Sequence, residues 1–207
     1  MEEQLEQSIN ATKVSNSSRR SGRSQRTHRA VMTAAAQLLA ENGYSSITIE
    51  AIAARASVAK TTIYRWWSTK AAIFMELYNE VAAEILTGLD TGSVEQDLRN
   101  LLLGLFKLFT TTSAGPAMVG MIAEAQSSPE FAKVFQQQFM AHRRNVTRKI
   151  LERGVERNEL QADLDIDLAI DVISGPIWYR LLQGHAPLDE HFADGIVRQV
   201  LFGIGAK

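Results

Sequence analysis

The chain has 207 residues, 45% of them hydrophobic, which is enough for one or two packed domains without disulfide or metal staples. It contains no Cys, so disulfides, thiolate metal sites and cysteine nucleophiles are excluded, and the composition fits a reducing compartment. Net charge is −1, but ten Lys/Arg stand against five Asp/Glu up to Lys70 and twelve against eighteen after it, the asymmetry expected of a chain that meets nucleic acid at one end.

Met1 to Gly22 is rich in Ser, Asn, Gln and Glu and has no sustained period, so disorder is expected. The acidic start is unlike a signal peptide and no apolar run reaches the length of a bilayer span, which together predict a soluble, cytoplasmic protein without membrane contact. Arg19, Arg20, Arg23 and Arg26 form a basic cluster before the first helix, placed like arms that enter a minor groove; a solvated basic tail is an equal alternative for each of them. From about Gln25 to Asn42, Val31, Ala34, Ala35, Leu38 and Leu39 make a helical stripe, and Gly43 suits a left-handed stop. Tyr44 and Ile47 are expected in the small core of this region, and Thr48 is placed to cap the next helix.

Residues 49–70, IEAIAARASVAKTTIYRWWSTK, carry the strongest signal. Ile49, Ile52, Ala53 and Ala56 keep helical spacing, Ser57-Val58 interrupts it, and a second short helical run extends from Ala59 to Trp67. Successive side chains of a helix rotate by roughly 100°, so Ile63 and Trp67 share an inward face while Thr61, Thr62 and Arg65 share an outward one. Lys60, Tyr64, Trp66 and Lys70 bound that outward face. Hydroxyls and a guanidinium suit phosphate oxygens and base edges in a major groove, where the second helix of a helix-turn-helix lies.

The pattern Thr48-Ile49-x-x-Ile52-Ala53-x-x-Ala56-x-Val58-x-Lys60-x-Thr62-Ile63-Tyr64-x-x-Trp67-x-x-Lys70 resembles the amino-terminal DNA-binding domain of the tetracycline-repressor family of transcriptional regulators. The match covers about the first third of the chain. Two positions in the turn depart from the family pattern. Ser57 stands where Gly is usual and must accept the backbone geometry that Gly permits more easily, and Ala59 cannot cap the recognition helix through a side-chain oxygen.

Ser68 or Thr69 can cap a fourth helix carrying Ile73, Phe74, Leu77, Val81 and Ile85, which joins the two halves. Leu86 to Gly92 reads as a linker or bend. Ser93 and Gln96 fit a capping box, and Leu98, Leu101, Leu102, Leu105, Phe106 and Phe109 describe a central helix that is apolar on more than one face. Ala114-Gly115-Pro116 breaks it. A shorter helix from about Pro116 to Gln126 follows, then Ser128-Pro129-Glu130 opens a long one reaching to about Asn158, with Phe131, Phe135, Phe139, Val146 and Ile150 along it. Asp163 or Asp165 opens the next, with Leu168, Val172, Ile173, Ile177 and Leu181 and an internal Pro176 that favours a kink. A last helix from about Asp189 to Phe202 carries Phe192, Ile196, Val197, Val200 and Leu201.

The expected fold is all-α: a disordered tail with a basic arm (1–22), a three-helix helix-turn-helix DNA-binding domain (23–70) and a helical bundle for effector binding and dimerisation (71–207). Arg23, Arg26, Thr48, Lys60, Thr61, Thr62, Tyr64, Arg65, Trp66 and Lys70 are the candidate DNA contacts, with Arg65 and the two Thr suited to base edges and Tyr64 and Lys70 to phosphate. The resemblance implies a homodimer paired through the last two helices on a palindromic double-stranded operator, and a small-molecule effector bound in the second domain. The segment from Arg153 to Leu160 and Gly175 to Leu182 also resembles one carboxy-terminal type among these regulators. Phe106, Phe109, Met118, Met121, Ile122, Phe135, Phe139, His142 and Trp178 are candidates to line the effector pocket; each is individually more suited to plain core.

Asp163-x-Asp165-x-Asp167 resembles the opening of a calcium loop but lacks its Gly and closing acid, so helix capping is the better reading. The four His have no metal spacing, and neither a Gly-rich phosphate loop nor a nucleophile in a catalytic setting is present. The sequence therefore points to a regulator of transcription without cofactor, metal or catalysis, a repressor released by its effector. An activator or architectural protein with the same head, and a helical small-molecule binding protein or enzyme whose basic end merely solvates, are the alternatives.

Overall fold

The computed structural model describes residues 24–204, and every regular element among them is helical. The predicted tail, with Arg19, Arg20 and Arg23, lies outside the described residues. Two compact units are formed, one from Ser46–Ile73 with the described residues up to Asn42, the other from Gly43–Ser45 with those from Phe74 onward.

In the first unit, α1 (24–42) buries Val31, Met32, Ala34, Ala35, Leu38 and Leu39, the face that its apolar spacing defines. Gly43 ends it at φ 71°, a left-handed conformation that costs a residue without Cβ little. Helix α2 (Ile49–Ala56) starts on Thr48, whose hydroxyl accepts from the Ala51 amide at 3.1 Å. It ends on Ser57 at φ 54°, so a serine does hold the left-handed position. Helix α3 is only Lys60–Tyr64, shorter than the run to Trp67 that the apolar spacing predicts. Its amino end, Ala59, supplies no side-chain acceptor, and past Tyr64 the Trp66 amide bonds the Ile63 carbonyl in a tighter turn. Burial of Ile52, Ile63 and Trp67 anchors the pair of helices, each side chain contributing about 1.5–3 kcal/mol.

Helix α4 (Lys70–Ile85) begins on Thr69, which accepts from the Ala72 amide at 3.1 Å. Its residues from Phe74 belong to the second unit. There α5 (Val94–Thr111) packs against α6 (Ala114–Ser127), α8 (Ala141–Glu156) and α10 (Glu190–Ile204), while α9 (Ile166–Gln183) packs on α8 and α10. The central place expected for α5 is borne out by burial of Leu98, Leu101, Leu102, Phe106, Leu108 and Phe109. Ser93 caps α5 through the Gln96 amide, but the Gln96 side chain turns to Asn100, so only half of the capping box forms. Instead, Glu159 accepts from the Val94 amide at 2.7 Å. The buried Asp97 accepts from the amide and hydroxyl of Thr91 at 2.8 and 2.7 Å, tying the bend before α5 to the helix itself.

Two further expectations are corrected. Tyr44 does not enter the core of the first unit: its ring lies 5.1 Å from that of Phe74, and its hydroxyl donates to Glu124 at 2.6 Å. It sits so close to Gly120 of α6 that any Cβ there would collide with it, so Gly120 creates the berth. The long helix is also not uniform. Ser128 caps α7 (Pro129–Val134), as its Ser-Pro-Glu opening predicts, but a π-helical turn at Phe135–Met140 separates α7 from α8. A π turn inserts an extra residue per turn, so every side chain after it faces a direction that a 3.6-residue period does not give.

Candidate nucleic-acid interface and ligand cavity

The short α3 divides its side chains as its sequence demands. Ile63 and Trp67 are buried, while Lys60, Thr61, Tyr64 and Arg65 are exposed and Thr62 and Trp66 half-buried. Inward anchoring of Ile63 on the helix and of Trp67 three residues past its end fixes the outward direction of the others. Thr62, Arg65 and Trp66 line an open concavity with Ser57, Val58 and Ala59 of the turn and with Ser24 and Thr27 of α1. Ser24 and Thr27 escape sequence reasoning because nothing local relates α1 to the turn 30 residues later.

The guanidinium of Arg65 lies 5.8 Å from the Trp66 ring and the Lys60 ammonium 5.5 Å from the Tyr64 ring. His28 of α1 packs against Trp66 and Trp67. Lys60 also forms an exposed ion pair with Glu50 of α2. Hydrogen bonding to Glu50 holds the Lys60 ammonium above its ordinary range, and the same bond holds the Glu50 carboxyl below its own. An acid thus sits on the basic face, a feature no single-helix pattern contains. Thr48 is exposed but its hydroxyl is committed to the cap of α2. Arg26 is exposed on α1 and lines a different concavity, with Arg29 and Arg55, so it is not gathered with Arg65. Lys70 is half-buried at the start of α4.

In the second unit a small cavity lies among α4, α5, α6, α8, α9 and the π turn, with a free volume of about 50 Å³. Of the candidate pocket residues, Phe109, Met118 and Trp178 line it. Phe106, Met121, Phe135 and Phe139 are instead core: Phe106 stacks on Phe192 at 5.7 Å, and Phe139 meets Tyr78 edge-on at 5.0 Å. Ile122 is half-buried and does not reach the cavity. His142 is a correction with a clear cause, since it is exposed and Met140, Arg143, Val146 and Thr147 face the cavity in its place. The extra residue in the π turn rotates position 142 outward and brings position 143 in. The remaining lining comes from Tyr78, Leu101, Leu105, Arg144, Ser174 and Ile177.

The Asp163–Asp167 stretch opens α9 as expected, Asp165 accepting from the Leu168 amide at 3.0 Å. Asp167 and Asp171 pair with Arg144, and Asp167 also with Arg148. Along α9, Leu168, Val172, Gly175, Pro176, Tyr179 and Leu182 recur at helical spacing and are all exposed, whereas Ala169, Ile170, Ile173 and Ile177 are buried. The helix is therefore apolar on two faces, only one of which the protomer covers.

Residues 31–77 match the family model described as "Bacterial regulatory proteins, tetR family", and residues 89–200 match "Tetracyclin repressor-like, C-terminal domain". The chain belongs to the tetracycline-repressor family of transcriptional regulators. This family member is 36% identical to the HTH-type transcriptional regulator YdeS of Bacillus subtilis (strain 168) over 89% of its own length and 92% of that protein. It is 27% identical to the DNA-binding transcriptional repressor TetR of Mycobacteroides abscessus (strain ATCC 19977) over 83% and 90% of the two chains. Its fold matches the crystal structure of the TetR family transcription regulator SCO0332 with a TM-score of 0.72 at 29% identity, covering 86% of this chain and 97% of that one. It is thus a helix-turn-helix transcriptional regulator with a carboxy-terminal helical domain. No helix among its described residues is long and apolar enough to cross a membrane.

Proposed function

We propose that the protein is a homodimeric, cytoplasmic repressor that binds a palindromic operator through α3 and leaves it when a small molecule fills the bundle cavity. Residues 23–70 serve as the DNA-binding head and 71–207 as the effector and dimerisation domain. The observation that carries the reading is the inward lock of Ile63 and Trp67, which leaves Thr61, Tyr64 and Arg65 on the opposite, solvent-facing side. In a major groove Arg65 and the Thr hydroxyls reach base edges, Tyr64, Lys60 and Lys70 hold phosphates, and Trp66 packs beside the backbone. Thr48 contributes through the cap of α2, and Arg26, with Arg23 before it, reaches the flanking backbone.

A single helix-turn-helix reads few bases, and pairing on a two-fold site is the usual remedy. The uncovered apolar stripe of α9 supports that pairing. The repressor sign is supported by the printed role of the Mycobacteroides abscessus relative. Regulation of this kind needs no catalytic step.

The test is operator binding by fluorescence anisotropy, with the DNA upstream of the protein's own gene as first probe. Tyr64→Ala and Lys70→Ala are expected to weaken binding to all sequences alike, and Arg65→Ala also to relax preference at one base pair of each half-site, by about 1–3 kcal/mol. Unchanged affinity in all three variants refutes the contact assignment. Affinity that does not fall with added salt removes DNA binding from the reading altogether.

A further inference from the structure

The cavity in the second unit is walled by apolar side chains, and no Asp or Glu lines it. Two arginines do. Arg144 is paired with Asp167 and Asp171, so its charge is answered from outside the cavity. Arg143 is not: among the described residues it makes no ion pair and no hydrogen bond, and its one charge partner is the Tyr78 ring, 4.8 Å from the guanidinium carbon. Burial pushes the Arg143 guanidinium below its ordinary range and the Tyr78 hydroxyl up to about 12.

A half-buried guanidinium with five donors and no acceptor costs the protein free energy that an anionic ligand would recover. The hydroxyls of Tyr78, Thr147 and Ser174 stand in the same lining and can complete the shell of an anionic group. The geometry points to an amphipathic organic anion as the ligand of this cavity, its carboxylate held by Arg143 and its apolar body against Phe109, Met118 and Trp178. This rests on the reading of the cavity as the effector site. With about 50 Å³ free, against the several hundred that a ligand fills, entry requires the cavity to open. Met118 and Met140, with flexible side chains, are the groups best able to yield.

Titration calorimetry of the full-length dimer with 1-naphthoate and decanoate, beside 1-naphthamide, decanol, 1-naphthylmethylamine and decylamine, tests this. The two carboxylates separate a flat aromatic body from an extended chain. At least one of them is expected to bind about tenfold or more tighter than its uncharged and cationic counterparts, the range of a charge-assisted hydrogen bond. Arg143→Met should reduce that preference to within about twofold while the apolar body still binds, and Arg143→Lys should keep part of it. Equal binding of anions and their counterparts, no binding of any probe at millimolar concentration, or a preference that survives in Arg143→Met overturns the proposal. Should Arg143→Met fail to fold, the ratio in the natural protein decides. Operator release followed in parallel separates the two readings. Anion binding without release overturns the effector role and leaves the anion site, whereas release by neutral compounds without anion preference does the reverse.

Discussion

Glu50 offers a perturbation whose effect on DNA binding follows from its position. Its carboxylate holds Lys60 at the first residue of α3, so one of the cations proposed to hold phosphate is engaged within the protein. An exposed ion pair of this kind is weak, because solvent screens it. The proposed dimer carries it at both half-sites, so Glu50→Gln, which frees Lys60, is expected to tighten operator binding about two- to thirtyfold at low salt. If each freed Lys60 takes up one phosphate, the slope of log affinity against log salt steepens by about 1.8 for the dimer. Anisotropy titrations of a labelled operator duplex at several salt concentrations measure both quantities. The gain should vanish when Lys60→Met is combined with Glu50→Gln. Affinity no greater than that of the natural protein, or a gain that persists without Lys60, refutes the idea that Glu50 restrains this lysine.

Ala59→Ser supplies the acceptor that the amino end of α3 lacks and should stabilise the head by about 0.5–2 kcal/mol in urea denaturation followed by Trp fluorescence. Ser57→Gly relieves a left-handed serine, but chain entropy offsets the relief, so a change below about 1 kcal/mol is expected. Tyr78 has its hydroxyl raised from 10.0 to about 12 by burial, so the folded state favours the neutral phenol. That stability is full below about pH 10 and is lost as pH rises towards 12, amounting to about 3 kcal/mol. Tyr78→Phe should flatten the loss, which urea midpoints across this window measure. Val172→Arg, on the uncovered stripe of α9, should shift sedimentation from dimer to monomer; an unchanged dimer would place the interface elsewhere.

The sequence by itself determined the helices of the head and which residues of α3 face in or out, because a period of 3.6 residues and the bulk of Ile63 and Trp67 are local properties. Capping by Thr48, Ser128 and Asp165 was legible for the same reason, as each hydroxyl or carboxylate serves an amide only three residues on. Only the tertiary structure decided what depends on partners distant in the chain or on a lost period. Tyr44 went to Phe74, Gly120 and Glu124, 30 to 80 residues away. The π turn at Phe135–Met140 exchanged His142 for Arg143 at the cavity, since one added residue per turn breaks the phase by which a helical face is read. On α9, equal apolarity of two faces left the pattern silent about which is covered, and packing against α8 and α10 chose Ile173 and Ile177 over Leu168 and Val172.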